Sequence, residues 1–146
     1  MSYAAGQARI LALVIACDDF NATNTSETDW KILNQGISDH YAILRPAGFS
    51  IEWIAASTYT VHWRTMLEVW QRYTDEGTTQ TNLYGYVASV LPVMASPHGG
   101  DDSMSDLTVR AADDPKEMWT AEGGPKWLKW ELEVMWDEQT TVTFTG

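Results

Sequence analysis

The 146-residue sequence predicts an α+β fold: a mostly antiparallel sheet with long strands, packed by an N-terminal helix and a second, central helix. Three observations carry this expectation. Residues 60–73 and 126–144 alternate apolar and polar side chains with the period of two that a half-buried strand requires. Two other segments, 10–17 and 83–94, repeat apolar side chains at helical spacing instead. A hydrophobic content of 45% with eight tryptophans is enough to build a core and disfavours disorder. One domain spanning 1–146 follows, of a size that buries about two thirds of the unfolded chain's surface.

The first element opens on "RILALVIACDDF", residues 9–20. Its apolar run ending in Ala16-Cys17 resembles the end of a bacterial lipoprotein signal, but the run is near the short limit for one and a single Arg precedes it. Ile10, Leu13, Val14 and Cys17 fall at i, i+3, i+4 and i+7, so a retained structural helix is expected, with that face against the sheet. A polar loop follows at 21–27, where Asn21-Ala22-Thr23 and Asn24-Thr25-Ser26 match glycosylation sequons without other signs of secretion.

After "DWKILN" at 29–34, residues 40–49 suggest strand through Tyr41 and Ile43, with Pro46 and Gly48 making a turn and residues 51–56 a further short strand. The run at 60–73 places Val61, Trp63, Thr65, Leu67 and Val69 on one face, opposite His62, Arg64, Met66 and Glu68. A central helix over 79–95, started by the threonine cluster, carries Leu83, Val87, Val90, Leu91 and Met94, and Pro92 should bend or shorten its last turn. A loop at 96–105 leads into a strand at 105–112. The final run, 126–144, puts Leu128, Trp130, Leu132, Val134 and Trp136 on the core face and Lys129, Glu131, Glu133 and Asp137 on the other. Trp127 falls on that polar face and has no obvious burial partner.

Strand length raises a further expectation. The two long runs would extend about 45 to 60 Å at ~3.4 Å per residue. A compact chain of this size is only about 35 to 40 Å across. The strands must therefore bend or overhang their own domain, and overhanging edges are usually covered by a neighbour.

Charge narrows the function. Twenty acidic against nine basic residues give a net charge of −11, so the chain should repel phosphate backbones and anionic lipid. No apolar run reaches the roughly 18 residues that span a bilayer. Catalytic signatures are missing: there is no Gly-rich phosphate loop, HExxH or GxSxG. The single Cys17 reads as a buried thiol, and His62 as a satisfied or solvent-facing strand residue. His98-Gly99-Gly100-Asp101-Asp102 lacks the ligand alternation of an EF-hand and reads as a flexible acidic loop. The pairs Asp18-Asp19 and Asp113-Asp114 read as caps and turns. No catalytic residue, cofactor or metal is expected.

In order, "DWKIL", "YAILRPAGF", "VHWRTMLEVWQRYTD", "LYGYVASVLPVM" and "WLKWELEVMW" make the chain resemble the tail terminator proteins of long-tailed bacteriophages. The resemblance covers nearly the whole chain, with the Trp-rich ending and the Pro-interrupted helix as departures. It implies a non-enzymatic virion protein of the tail and neck, assembled in the host cytoplasm. It also implies a homohexameric ring that caps the tail tube and joins it to the head-completion or connector protein while DNA passes through. Acids on the long strands, for instance Glu131 and Glu133, could then line the lumen or a subunit interface. Other readings are a different neck or head-completion subunit, and a small module binding a ligand on its tryptophans.

Overall fold

The computed structural model describes residues 3–27, 33, 38–94, 105–111, 113–119 and 124–141. Helix α1 (Tyr3–Ile15) is followed by β1 (Thr25–Ser26), β2 (His40–Ala55), β3 (Thr58–Arg72), α2 (Glu76–Met94), β4 (Ser105–Ala111), β5 (Lys116–Trp119) and β6 (Lys126–Thr141). The strands form one sheet in the order β1-β2-β3-β6-β4, with β5 also paired to β6. Among the described residues, only the two-residue β1 runs parallel to its neighbour. The α+β architecture with an N-terminal and a central helix is as expected; β1 and β5 are too short to leave a periodic trace in the sequence.

Both helices pack on one face of the sheet. Ile10, Leu13 and Val14 of α1, and Cys17 just beyond it, are buried together with Leu83, Val87, Val90 and Met94 of α2. Beneath them lie Ala42 and Leu44 of β2, Leu67 and Val69 of β3, and Leu132, Val134 and Trp136 of β6. The helix expected at 10–17 forms with that face in the core, and it ends at Ile15. Helix α2 starts three residues earlier than expected, because Asp75 and not the threonines caps it: Oδ1 accepts from Thr78 N at 2.8 Å. That contact also holds the Asp75 carboxyl below its ordinary range. Leu91, expected in the core, is 40% exposed. At about 100° per residue it lies about 80° around the helix from Leu83, whereas Val87, Val90 and Met94 stay within about 40°. Pro92 sits in the last turn and does not shorten it, since α2 continues to the buried Met94.

The expected turn at Pro46 and Gly48 is instead a β-bulge inside one strand. The pairing of β2 with β3 slips from Pro46↔Thr65 to Phe49↔Trp63, which leaves one extra residue on β2. Gly48 takes φ 97°, a left-handed conformation that glycine adopts without steric cost, and strand pairing resumes beyond it. Residues 51–55 are thus the far half of β2 and not a separate strand. The real reversal is at 56–57, closed by the pair Ala55↔Thr58. The chain turns where two-residue connection geometry allows, ten residues later than the Pro-Gly signal implied.

The other face of the sheet holds a second, smaller core of Leu33, Tyr41, Ile43, Trp70 and Trp127, with Met118 against it. This corrects the reading of Trp127: its face is buried too, because aromatic neighbours on β2 and β3 rise to meet it. Its ring lies 5.8 Å from Tyr41 and 6.3 Å from Trp70. Trp130, expected in the main core, is only half-buried. Its ring rests 4.6 Å from Tyr84 of α2, and its Nε1 donates to the Asp113 carbonyl at 2.8 Å. Asp113 also accepts from Asp114 N and pairs with Lys116, the turn role expected of that acid pair.

Candidate assembly interface

Strands β3 and β6 pair without interruption from Arg72↔Trp127 to Thr58↔Thr141, a ladder about 50 Å long at ~3.4 Å per residue. The helices do not cover all of it. Tyr3, at the start of α1, marks the end of the helical layer: its ring lies 5.1 Å from Trp63 and 5.8 Å from Trp136. Past that point residues 49–55, 58–62 and 137–141 continue as a three-stranded arm.

The arm has two unlike faces. Register places Phe49, Ile51 and Trp53 of β2 opposite Trp63, Val61 and Tyr59 of β3, on the same side as the main core. Phe49, Ile51 and Trp53 are 54%, 50% and 59% exposed, although they continue the row that Leu44 and Leu67 begin. Among the described residues their shielding is partial: Phe49 lies 5.3 Å from Trp63 and Trp53 lies 5.0 Å from Tyr59, while Val61 between those two pairs is buried. Together the exposed Phe49, Ile51 and Trp53 form a patch of the kind that marks an interaction surface. Among the described residues, β1 borders β2 only at Ala42 and Ile43, so the outer edge of β2 in the arm has no strand beside it.

On the opposite, polar face His62 bridges all three strands. Its Nδ1 lies 2.6 Å from Asp137 Oδ1 of β6, and its Nε2 lies 3.1 Å from Glu52 Oε2 of β2. The hydrogen bond to Asp137, then that to Glu52, raises its pKa above the ordinary 6.5. Both ring nitrogens are occupied by carboxylates, which leaves none to take a substrate proton. His40 is similarly held, by Asp39 at 2.7 Å and the Asp19 carbonyl at 2.6 Å, and it stacks on Tyr86. Burial pushes the Tyr86 hydroxyl up to about 12. His98 and its acidic loop lie outside the described residues. Cys17 is buried, and burial followed by Asp19 and Asp18 raises its pKa, the opposite of what a nucleophile needs. Asn24 is buried as well, its amide donating to the Asp19 carbonyl at 3.2 Å.

Glu131 and Glu133 both project from β6 on the face away from the helices, but their carboxylates are engaged within the chain. Glu131 Oε1 lies 2.8 Å from Lys129 Nζ and 4.0 Å from Arg45 Nη2. Glu133 receives both contacts of the Arg110 guanidinium at 3.3 Å. Between them and β2 sits Glu68, fully buried, whose Oε2 meets Arg45 Nη2 at 2.6 Å and whose Oε1 accepts from Trp70 Nε1 at 3.1 Å. This cluster ties β2, β3 and β6 together at the root of the arm. It is structural cross-linking and not a row of free acids.

The arm was legible in part. Its apolar alternation, Phe49, Ile51 and Trp53, is present in the sequence, but the Pro46-Gly48 turn signal cut it off from the strand it belongs to. Among the described residues, no helix is long and apolar enough to cross a membrane, and no group of three or more His, Cys, Asp or Glu side chains is placed to hold a metal. No known protein-family model matches the chain, and no curated protein sequence matches it significantly.

Proposed function

We propose that this protein is a ring-forming structural subunit of a phage tail, of the tail terminator kind. In this reading a homohexamer caps the tail tube, meets the head-completion or connector protein on its other side, and lets DNA pass. The observation that carries it is the arm, in which sheet strands run past their own helices and, among the described residues, leave Phe49, Ile51 and Trp53 exposed on an apolar face. A protein with net charge −11 keeps such a face exposed at a cost in solubility unless a partner covers it. The same charge suits a passage for DNA, since a lumen that repels phosphate does not grip the genome. The sequence resemblance supplies the ring and its position at the neck, and another neck subunit would share both.

The ligand-module reading has less support. Trp70, Trp127 and Trp136 are buried in the two cores. The well-exposed Trp53 and Trp119 sit at opposite ends of the sheet, Trp53 beside Tyr59↔Thr140 and Trp119 beside Lys126. Fourteen residues of β6 separate those positions, roughly 45 Å of strand, too far for one sugar platform.

Electron microscopy of intact particles tests the proposal. Six copies in a ring at the head–tail junction are expected. A single copy per particle, or none at the neck, overturns it.

A further inference from the structure

We propose that the apolar face of the arm is seated on the helical layer of a second copy of this chain, so that each subunit gives an arm and receives one. The inference rests on the ring reading and names its contact surfaces. Charge selects the receiving surface. Phe49, Ile51 and Trp53 can bury themselves against a neighbour only where that neighbour offers no carboxylates to desolvate. In a chain with 20 acids, helices α1 and α2 together carry only Arg9 and Glu76 as charged residues. Glu76 lies at the very start of α2, away from the exposed apolar positions Tyr84 and Leu91 further along it. The opposite sheet face is unsuitable, since it presents Arg45, Glu131, Glu133 and Arg110 in ion pairs.

Giving and receiving surfaces are therefore different parts of the molecule. Such a contact is heterologous and propagates head to tail until it closes into a ring, whereas arm-against-arm packing would stop at a two-fold dimer. The polar face of the arm, with Glu52, His62 and Asp137, is left facing outward from this contact.

Cross-linking between copies decides the matter, and the buried Cys17 does not compete. Chains carrying Trp53→Cys and isotopically labelled chains carrying Ala88→Cys, an exposed position between Tyr84 and Leu91, are mixed at millimolar concentration and oxidised. A disulfide joining position 53 of one chain to position 88 of the other is expected as the main product. Trp53→Glu and Leu91→Glu should each weaken self-association at least about tenfold, as loss of an interface anchor does, while Glu52→Lys leaves it unchanged. Circular dichroism checks that each variant folds. A 53-to-53 product, or oligomers that persist in both Glu variants, overturns the seating while the ring reading stands. Absence of any self-association at millimolar concentration overturns both.

Discussion

Gly6 of α1 lies flat against the indole of Trp136 in β6: a Cβ on that glycine would come within 2.5 Å of Cζ2 and 2.7 Å of Nε1. Trp136 is fully buried in the main core, so it cannot swing aside. Gly6→Ala should therefore destabilise the fold by roughly 1 to 3 kcal/mol, the usual cost of overpacking. That outcome is opposite in sign to the gain of up to ~1 kcal/mol that alanine brings to an ordinary helix position. Denaturant titration distinguishes them, and a more stable Gly6→Ala protein would show that the helix does not rest where the structure puts it.

The Arg45–Glu68 pair yields a sharper expectation. Removing the guanidinium with Arg45→Met leaves a fully buried carboxylate with Lys129 Nζ at 3.9 Å as the nearest cation. Loss should lie toward the lower end of ~3 to 5 kcal/mol, because Arg45 keeps some water contact and Lys129 compensates in part. Replacing both residues, Arg45→Met with Glu68→Leu, should recover most of that loss. A double variant as unstable as the single one would mean that the pair contributes through packing and not through charge.

His62 makes the arm sensitive to pH. Its folded pKa is raised above 6.5 by Asp137 and then Glu52, so the stabilisation from its protonation is full below pH 6.5 and is lost as pH rises through the folded value. The effect on melting temperature should be small, since the ring is substantially in water. Nuclear magnetic resonance titration reads it directly: a midpoint above 6.5 is expected, falling in Asp137→Asn. A wild-type midpoint at or below 6.5 would mean the bridge does not form in solution.

Duplex DNA should not bind detectably at physiological salt, which fluorescence anisotropy measures. For Glu131 and Glu133, charge reversal to lysine would set new cations beside Lys129 and Arg110 and break two ion pairs, so stability should fall before any effect on DNA is read. Glu131→Gln with Glu133→Gln is the cleaner variant. If these residues line the lumen, particles assembled from it should eject DNA more slowly. Unchanged ejection from normally assembled particles would place them away from the passage.

Periodicity made much of this fold readable in advance. The faces of α1, β3 and β6 were each visible as a stripe or an alternation, because burial of one face imposes its own repeat on the sequence. Local signals failed where tertiary pairing overrode them. Pro46 and Gly48 look like a turn, yet an edge strand tolerates a missing N–H and a bulge accommodates a left-handed glycine, so β2 runs on through both. Trp127 looked out of place because the residues that alternate with it onto its strand face, Lys129, Glu131 and Glu133, are charged, whereas its neighbours in space are Tyr41 and Trp70.

Residue pattern alone carried the class of fold, the buried face of α1, most of that of α2, the burial of Cys17 and the net acidity. Pairing in three dimensions was needed to reveal that Glu131 and Glu133 are engaged by cations, that the sheet has a core on each face, and that β2, β3 and β6 extend as an arm. The reason is one of range. A periodic pattern records how a residue sits relative to its own strand or helix. Ion pairing, bulge accommodation and overhang depend on what three strands far apart in sequence bring to the same place.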